Sequence, residues 1–208
     1  MTDDFAIYKQ SFADWQNYGI VYHGNVERTW TELNFDWIKT YSIEEANPED
    51  AWNTPASRFK LWQEELYKSW GHRKESTEHY MAFDPVIDFD PAPIFKEIGC
   101  ADTFHSFNFM SIPPGMIIPW HCDTYVYFVD KFDIPVEETI FVKRAIVFME
   151  DWSFGQVAQF GRSTLTHWET GDIYSWDHAA WHGVANFGNN PITMMQVTYH
   201  DTTNTTKS

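Results

Sequence analysis

A chain of 208 residues with a formal net charge of −16 repels phosphate backbones, so no nucleic-acid partner is expected. Hydrophobic residues at 43% and aromatics at 18% exclude a disordered or purely linking role. The length suits a single domain, residues 1–208, with one core and an extension.

The N-terminus, Met1-Thr2-Asp3-Asp4, lacks the basic and apolar stretches of a secretory leader, and no apolar run reaches membrane-spanning length. A cytoplasmic, reducing location without a membrane partner is therefore expected. Residues 1–85 read as a helical and irregular elaboration. A weak helical pattern covers residues 33–41. Phe59, Trp62, Leu66 and Trp70 recur at spacings of three and four, an apolar stripe. Thr54-Pro55 suits the start of that helix and Gly71 its end. Lys60, Glu64 and Lys68 are spaced for surface pairs. The cluster His72-Arg73-Lys74 reads as a solvated helix end.

From about residue 86 the pattern changes to short strands separated by Gly, Pro and Asn turns. Strands are predicted at 86–89, 104–109, 116–120, 141–149, 171–176 and 192–199, with a short helix at 93–98 stopped by Gly99. Residues 86–200 thus form the β core, a sandwich or barrel rather than a Rossmann-like sheet. Residues 201–208 are a polar tail. The two cysteines, Cys100 and Cys122, make no disulfide framework.

The chemistry concentrates in His121-Cys122-Asp123 and, 59 residues after the Asp, His182. Two imidazoles and one carboxylate in this order are the parts of a facial triad that holds Fe(II) and leaves coordination positions open. On a strand Cys122 points away from its two neighbours. An alternative pairs His178 with His182 on one helical face, but no glutamate follows the first histidine, and Asp177 and Gly183 favour a passage from loop to strand. His105 and His167 read as pocket-wall or hydrogen-bonded histidines. Arg144 opens an apolar strand on which it shares a face with Ile146 and Phe148. Buried there, it needs an anion, either a ligand carboxylate or an acid such as Glu150 or Asp172. Arg162, in turn-like text, is the reserve cation. Asn186 either hydrogen-bonds near the site or shapes a turn.

Pro114-Gly115, His121-Cys122-Asp123, Arg144, Trp168-Glu169-Thr170-Gly171-Asp172, Trp176-Asp177 and His182-Gly183-Val184-Ala185-Asn186 together carry a resemblance. Over roughly residues 104–199 the chain resembles the Fe(II)/2-oxoglutarate-dependent oxygenases, and within them the aspartyl/asparaginyl β-hydroxylase-like branch. The resemblance implies a mainly β fold, the double-stranded β-helix of jelly-roll or cupin-like proteins, with an N-terminal partly helical elaboration. It implies His121, Asp123 and His182 as metal ligands and Arg144 on the 2-oxoglutarate carboxylate, with Fe(II), 2-oxoglutarate and O2 as cofactor and cosubstrates. The activity implied is hydroxylation of a C–H bond in a small-molecule or peptide side-chain substrate, coupled to decarboxylation of 2-oxoglutarate to succinate. The chain departs from the family where an Arg or Lys commonly follows the distal histidine by about ten residues; Asn189-Asn190-Pro191-Ile192-Thr193 stands there. Ile146 replaces the family's histidine two residues beyond the strand arginine. A longer segment, residues 124–139, separates Asp123 from the Arg144 strand, and with the N-terminal region it is expected to form the substrate entrance. The alternative function is a cupin-like metal-binding protein, or an oxygenase that does not use 2-oxoglutarate.

Overall fold

The structure, a computed structural model, describes residues 13–28, 30, 35–39, 65–73, 76–77, 79–83, 85, 88–123, 125–177 and 179–201. Ten strands form two antiparallel sheets. They are β1 (Val21–Asn25), β2 (Tyr80–Phe83), β3 (His105–Ile112), β4 (Ile117–His121), β5 (Val142–Phe148), β6 (Gln156–Phe160), β7 (Ser163–Leu165), β8 (Asp172–Trp176), β9 (His182–Asn186) and β10 (Ile192–His200). The larger sheet has the order β1-β8-β5-β10-β3-β2 and the smaller β4-β9-β6-β7. From the central hairpin β6–β7 outward, the strands pair symmetrically: β5 with β8, β4 with β9, β3 with β10. This is a two-stranded ribbon wound on itself, the double-stranded β-helix, and successive turns of the ribbon alternate between the sheets.

Side chains alternate along each strand, so every strand offers one face to the space between the sheets. Met110, Ile146, Phe148, Phe160, Val184 and Met194 fill that space. The opposite face of the larger sheet is not left to solvent. Phe109, Val147 and Val197 pack there against Trp30, Ile38 and the helix α1 (Ala92–Ile98), which buries Ile94, Phe95 and Ile98. All nine residues of β10 are consequently buried, which erases the polar–apolar alternation of an ordinary half-exposed strand. Asp90 accepts a hydrogen bond from the Ala92 N–H at the start of α1. Gly99 ends it in the left-handed conformation, φ 81°, where a Cβ is unfavourable.

The N-terminal region differs from the helical expectation by supplying both edge strands of the larger sheet. β1 pairs with β8 through a bulge between Tyr22 and Gly24, and β2 pairs with β3. Neither short segment has a pattern that marks it as a strand; each forms by adding to an edge that is already folded. Residues 65–69 are helical and end at Gly71 as expected, while Phe59, Trp62, Thr54-Pro55, Lys60 and Glu64 lie outside the described residues. Lys68 pairs with Glu65, at 2.6 Å. The strand predicted at 86–89 falls partly outside the described residues, and Asp88 and Phe89 are not strand. Of the 33–41 pattern, residues 37–39 are helical and 35–36 a turn. The tail 202–208 is outside the described residues. No helix among the described residues is long and apolar enough to cross a membrane.

Candidate metal centre

β4 ends at His121 and β9 begins at His182, and the two residues are directly opposed across the antiparallel pair. The ladder is irregular between Ile118 and His121, where Pro119 has no N–H to contribute. Beyond that irregularity His121 and Asp123 face the cavity, while Trp120 and Cys122 pack on the other side with Trp15, Leu66, Ala179 and Trp181. Burial raises the Cys122 thiol pKa well above its usual value, with the Asp123 charge adding to the effect. Cys122 points away from its neighbours, as strand geometry requires. At Gly183 a Cβ would meet the Ile118 carbonyl oxygen at 3.0 Å, so the glycine permits the close approach of β9 to β4.

One ligand atom from each of His121, Asp123 and His182 falls within 4.8 Å of the others, the one such group among the described residues. His182 Nε2 lies 3.5 Å from Asp123 Oδ2, and His121 Nε2 lies 3.9 Å from Oδ1. Both imidazoles are oriented from behind. His121 Nδ1 is 2.8 Å from the Pro119 carbonyl and His182 Nδ1 is 3.0 Å from that of Ala180. A carbonyl only accepts, so each Nδ1 carries a hydrogen and each Nε2 is the ring nitrogen turned to the carboxylate. His182 is 4% exposed, and its Nε2 has no hydrogen-bond partner. Burial, followed by the neighbouring His121, lowers its pKa to about 3 and keeps the ring neutral. A buried, neutral, outward-pointing lone pair beside a carboxylate fits a first-row divalent cation.

Arg144 on β5 closes the ring of charge. Its Nη1 donates to Asp123 Oδ1 at 2.9 Å and its Nε to Thr198 Oγ1 at 3.3 Å, while the guanidinium lies 5.2 Å from the Tyr125 ring centroid. The anion beside Arg144 is thus the Asp123 carboxylate itself. Glu150 Oε2 has no hydrogen-bond partner among the described residues, and Asp172 accepts from Tyr22 and Asn25 instead.

His121, Asp123, His182 and Arg144 line a cavity of about 420 Å³ between the sheets. Its wall on the larger sheet changes character along the strands. Trp176, Arg144 and Thr198 share one rung, Ile146, Gln196 and Asn108 the next, and Phe148, Met194, Met110 and Met81 the third. Of these, Trp176, Arg144, Ile146, Gln196, Met194, Met110 and Met81 line the cavity, and Trp176 packs against His182 with ring centroids 4.8 Å apart. Tyr67, Thr77, His79 and Met81 bring the N-terminal region to the cavity.

Four of the residues singled out from sequence, His121, Asp123, His182 and Arg144, therefore meet. Arg162 lies exposed at the β6–β7 turn, its backbone N–H on the Tyr18 carbonyl, and does not line the cavity. Asn186, at the other end of β9, donates its amide to the Ile112 and Asn190 carbonyls and accepts from the Gly188 N–H, which braces the β9–β10 turn. His105 is paired with the Thr103 carbonyl and stacks on Phe95; His167 is exposed against Trp152. His178 is outside the described residues. Residues 125–139 fold into α2 (Val126–Phe132) and a 3-10 turn (Val136–Phe141), and among the described side chains of this segment none lines the cavity, while Tyr125 reaches Arg144. Trp176, one of the motif residues, also lines the cavity, and so does Gln196, which no sequence motif marks. A lone glutamine within the apolar run of β10 was a signal that could have found Gln196.

No protein-family profile matches the chain, and no curated protein matches it. Solved structures do resemble it. A prolyl-4-hydroxylase of Pseudomonas putida is 10% identical over 71% of this chain and 88% of its own, with a TM-score of 0.44. An oxidoreductase of the 2OG-Fe(II) oxygenase family from Burkholderia pseudomallei is 9% identical over 68% and 78%, with a TM-score of 0.41. A cupin domain from Bordetella pertussis is 11% identical over 59% and 94%, with a TM-score of 0.35.

Proposed function

We propose that this chain is an Fe(II)- and 2-oxoglutarate-dependent oxygenase that hydroxylates a C–H bond of a small-molecule or peptide side-chain substrate. The observation that carries this reading is the convergence of His121, Asp123 and the orphaned His182 Nε2 beside a buried arginine. The motifs around both histidines support kinship with the aspartyl/asparaginyl β-hydroxylase-like branch.

When bound, the iron supplies dioxygen chemistry that amino acids cannot. The chain's own residues do the rest. The two backbone carbonyls behind the histidines hold the imidazoles in the ligating tautomer. Arg144 orients the Asp123 carboxylate and offers the remainder of its planar fork to an acid in the cavity. The apolar wall of Met110, Met194 and Met81 keeps water from the far side and suits the carbon skeleton of a substrate.

The direct test is oxygen-dependent formation of succinate from 2-oxoglutarate by protein loaded with Fe(II). Succinate above the level of the His182→Ala protein is expected. A protein that binds iron stoichiometrically yet forms no succinate overturns the 2-oxoglutarate reading. That result would favour the second reading, a cupin-like metal protein of other chemistry. One observation supports it: Arg144, the one Arg or Lys among the described lining residues, is already paired with Asp123.

A further inference from the structure

Arg144 does not face the cavity alone. Gln196 projects from β10 one rung along the sheet, opposite Ile146, and is only 5% exposed. Its Oε1 accepts from Asn108 Nδ2 at 3.0 Å and from Arg144 Nη1 at 3.5 Å. Donors converging on one atom identify it as the oxygen, so the other end of the carboxamide is the NH2 group. Among the described residues that NH2 group has no acceptor. Neither does Arg144 Nη2, although Nε and Nη1 are held by Thr198 and Asp123. Both side chains line the cavity. The wall beside the triad therefore presents two anchored groups with unused N–H donors. Such a surface suits an oxyanion with two acceptor atoms and leaves a neutral or cationic group without partners.

We infer that Gln196 is the second donor of a carboxylate-binding subsite whose cation is Arg144, and that Asn108 is its positioning residue. The ligand class is a 2-oxo acid. The subsite lies on β5 and β10 beside the metal ligands, which explains how a chain without Arg or Lys in residues 187–193 can hold an acid. There the buried Ile192 stands, in the apolar core between the sheets. The inference rests on the proposed use of a 2-oxo acid, and the test separates the two.

The test is calorimetric titration of Zn(II)-loaded protein, which binds without turning over, with 2-oxoglutarate and separately with pyruvate. Gln196→Met keeps the length and removes the donors; its Kd for the acid should rise about 10- to 100-fold, the range for one hydrogen bond to a charged group. Gln196→Glu, which sets a carboxylate against Arg144 and the ligand, should weaken binding further. Asn108→Leu should weaken it less, because the amide stays but loses its anchor. Zinc content should stay at the wild-type value throughout, so that the loss of acid binding is not a loss of metal loading. Unchanged Kd in Gln196→Met, with 2-oxoglutarate still bound by the wild type, overturns the inference and leaves the proposed function standing. Gln196-dependent binding of pyruvate without binding of 2-oxoglutarate supports the subsite and overturns the choice of cosubstrate. Binding of neither acid overturns both. Should a variant fail to fold, the wild type decides: in nitrogen-labelled protein the Gln196 side-chain amide resonances must shift when the acid is added, and their immobility overturns the assignment.

Discussion

His121 and His182 face each other as paired residues of neighbouring antiparallel strands, their ring centroids 4.2 Å apart. Two ligands are thus held by one hydrogen-bonded ladder, and the third follows two residues after the first. A site built this way is rigid where precision matters most, because strands hold their side chains more firmly than loops do.

Removal of His182 should therefore remove the site. His182→Ala should lower metal affinity by more than the about 10- to 100-fold typical of losing an outer partner. The measurement is metal content after loading with Fe(II) or Zn(II) and desalting. Wild-type stoichiometry in the variant would reject the triad.

Arg144 holds Asp123 and, on the proposed function, also the cosubstrate acid. Arg144→Ala should weaken binding of 2-oxoglutarate by about 2–5 kcal/mol, the range for truncating one partner of a buried charge pair. Arg144→Lys should restore little of it, because an ammonium cannot hold Asp123 and an acid through one planar fork. Calorimetry at saturating Zn(II) checks this, since the loss of the Asp123 contact also disturbs metal binding. Full recovery with lysine would refute the fork argument.

The metal-free protein should lose stability in mild acid. His182 has a folded pKa of about 3 against 6.5 for the free side chain, owing first to burial. Below about pH 6.5 the unfolded chain takes up a proton that the folded chain refuses, so stability falls as pH falls toward 3. The limiting slope for one such group is about 1.4 kcal/mol per pH unit. Denaturant midpoints of metal-free protein at about pH 7 and about pH 5 measure the slope, and His182→Gln should flatten it. Equal pH dependence in both proteins would sink the argument.

Gly161 should be less replaceable than Gly115. Both have positive φ, 50° and 80°, and alanine there carries about 1–2 kcal/mol of backbone strain. At Gly115 an added Cβ meets nothing, whereas at Gly161 it collides with the Tyr18 backbone. Gly161→Ala should cost about 1–3 kcal/mol more than Gly115→Ala, the usual range for overpacking. Equal thermal midpoints for the two variants would mean that the segment before β1 is not docked on the β6–β7 turn.

The sequence by itself determined the chemistry of the ligands. In a strand alternate residues share a face, so His121-Cys122-Asp123 read correctly as two inward groups around an outward thiol. The same rule put Arg144 and Ile146 on one face, and both line the cavity. The turn-punctuated text after residue 86 announced short strands in a sandwich or barrel. Gly71 and Gly99 marked helix ends because few other residues accept the backbone conformation required there. What only the tertiary structure decided is which strands become neighbours. Sheet order is a property of long-range pairing, and no local pattern encodes that β4 lies beside β9 or that β10 lies between β5 and β3. The partner of Arg144 followed from that order: Asp123, rather than Glu150 or Asp172, is the acid that the closed sheets bring within hydrogen-bonding distance. Gln196 stayed hidden for a related reason. β10 is covered on both faces, so its sequence has no alternation to show which residues look into the cavity. β1 and β2 exist as strands because folded edges were there to receive them, and an edge is made by the whole fold rather than by the segment that joins it.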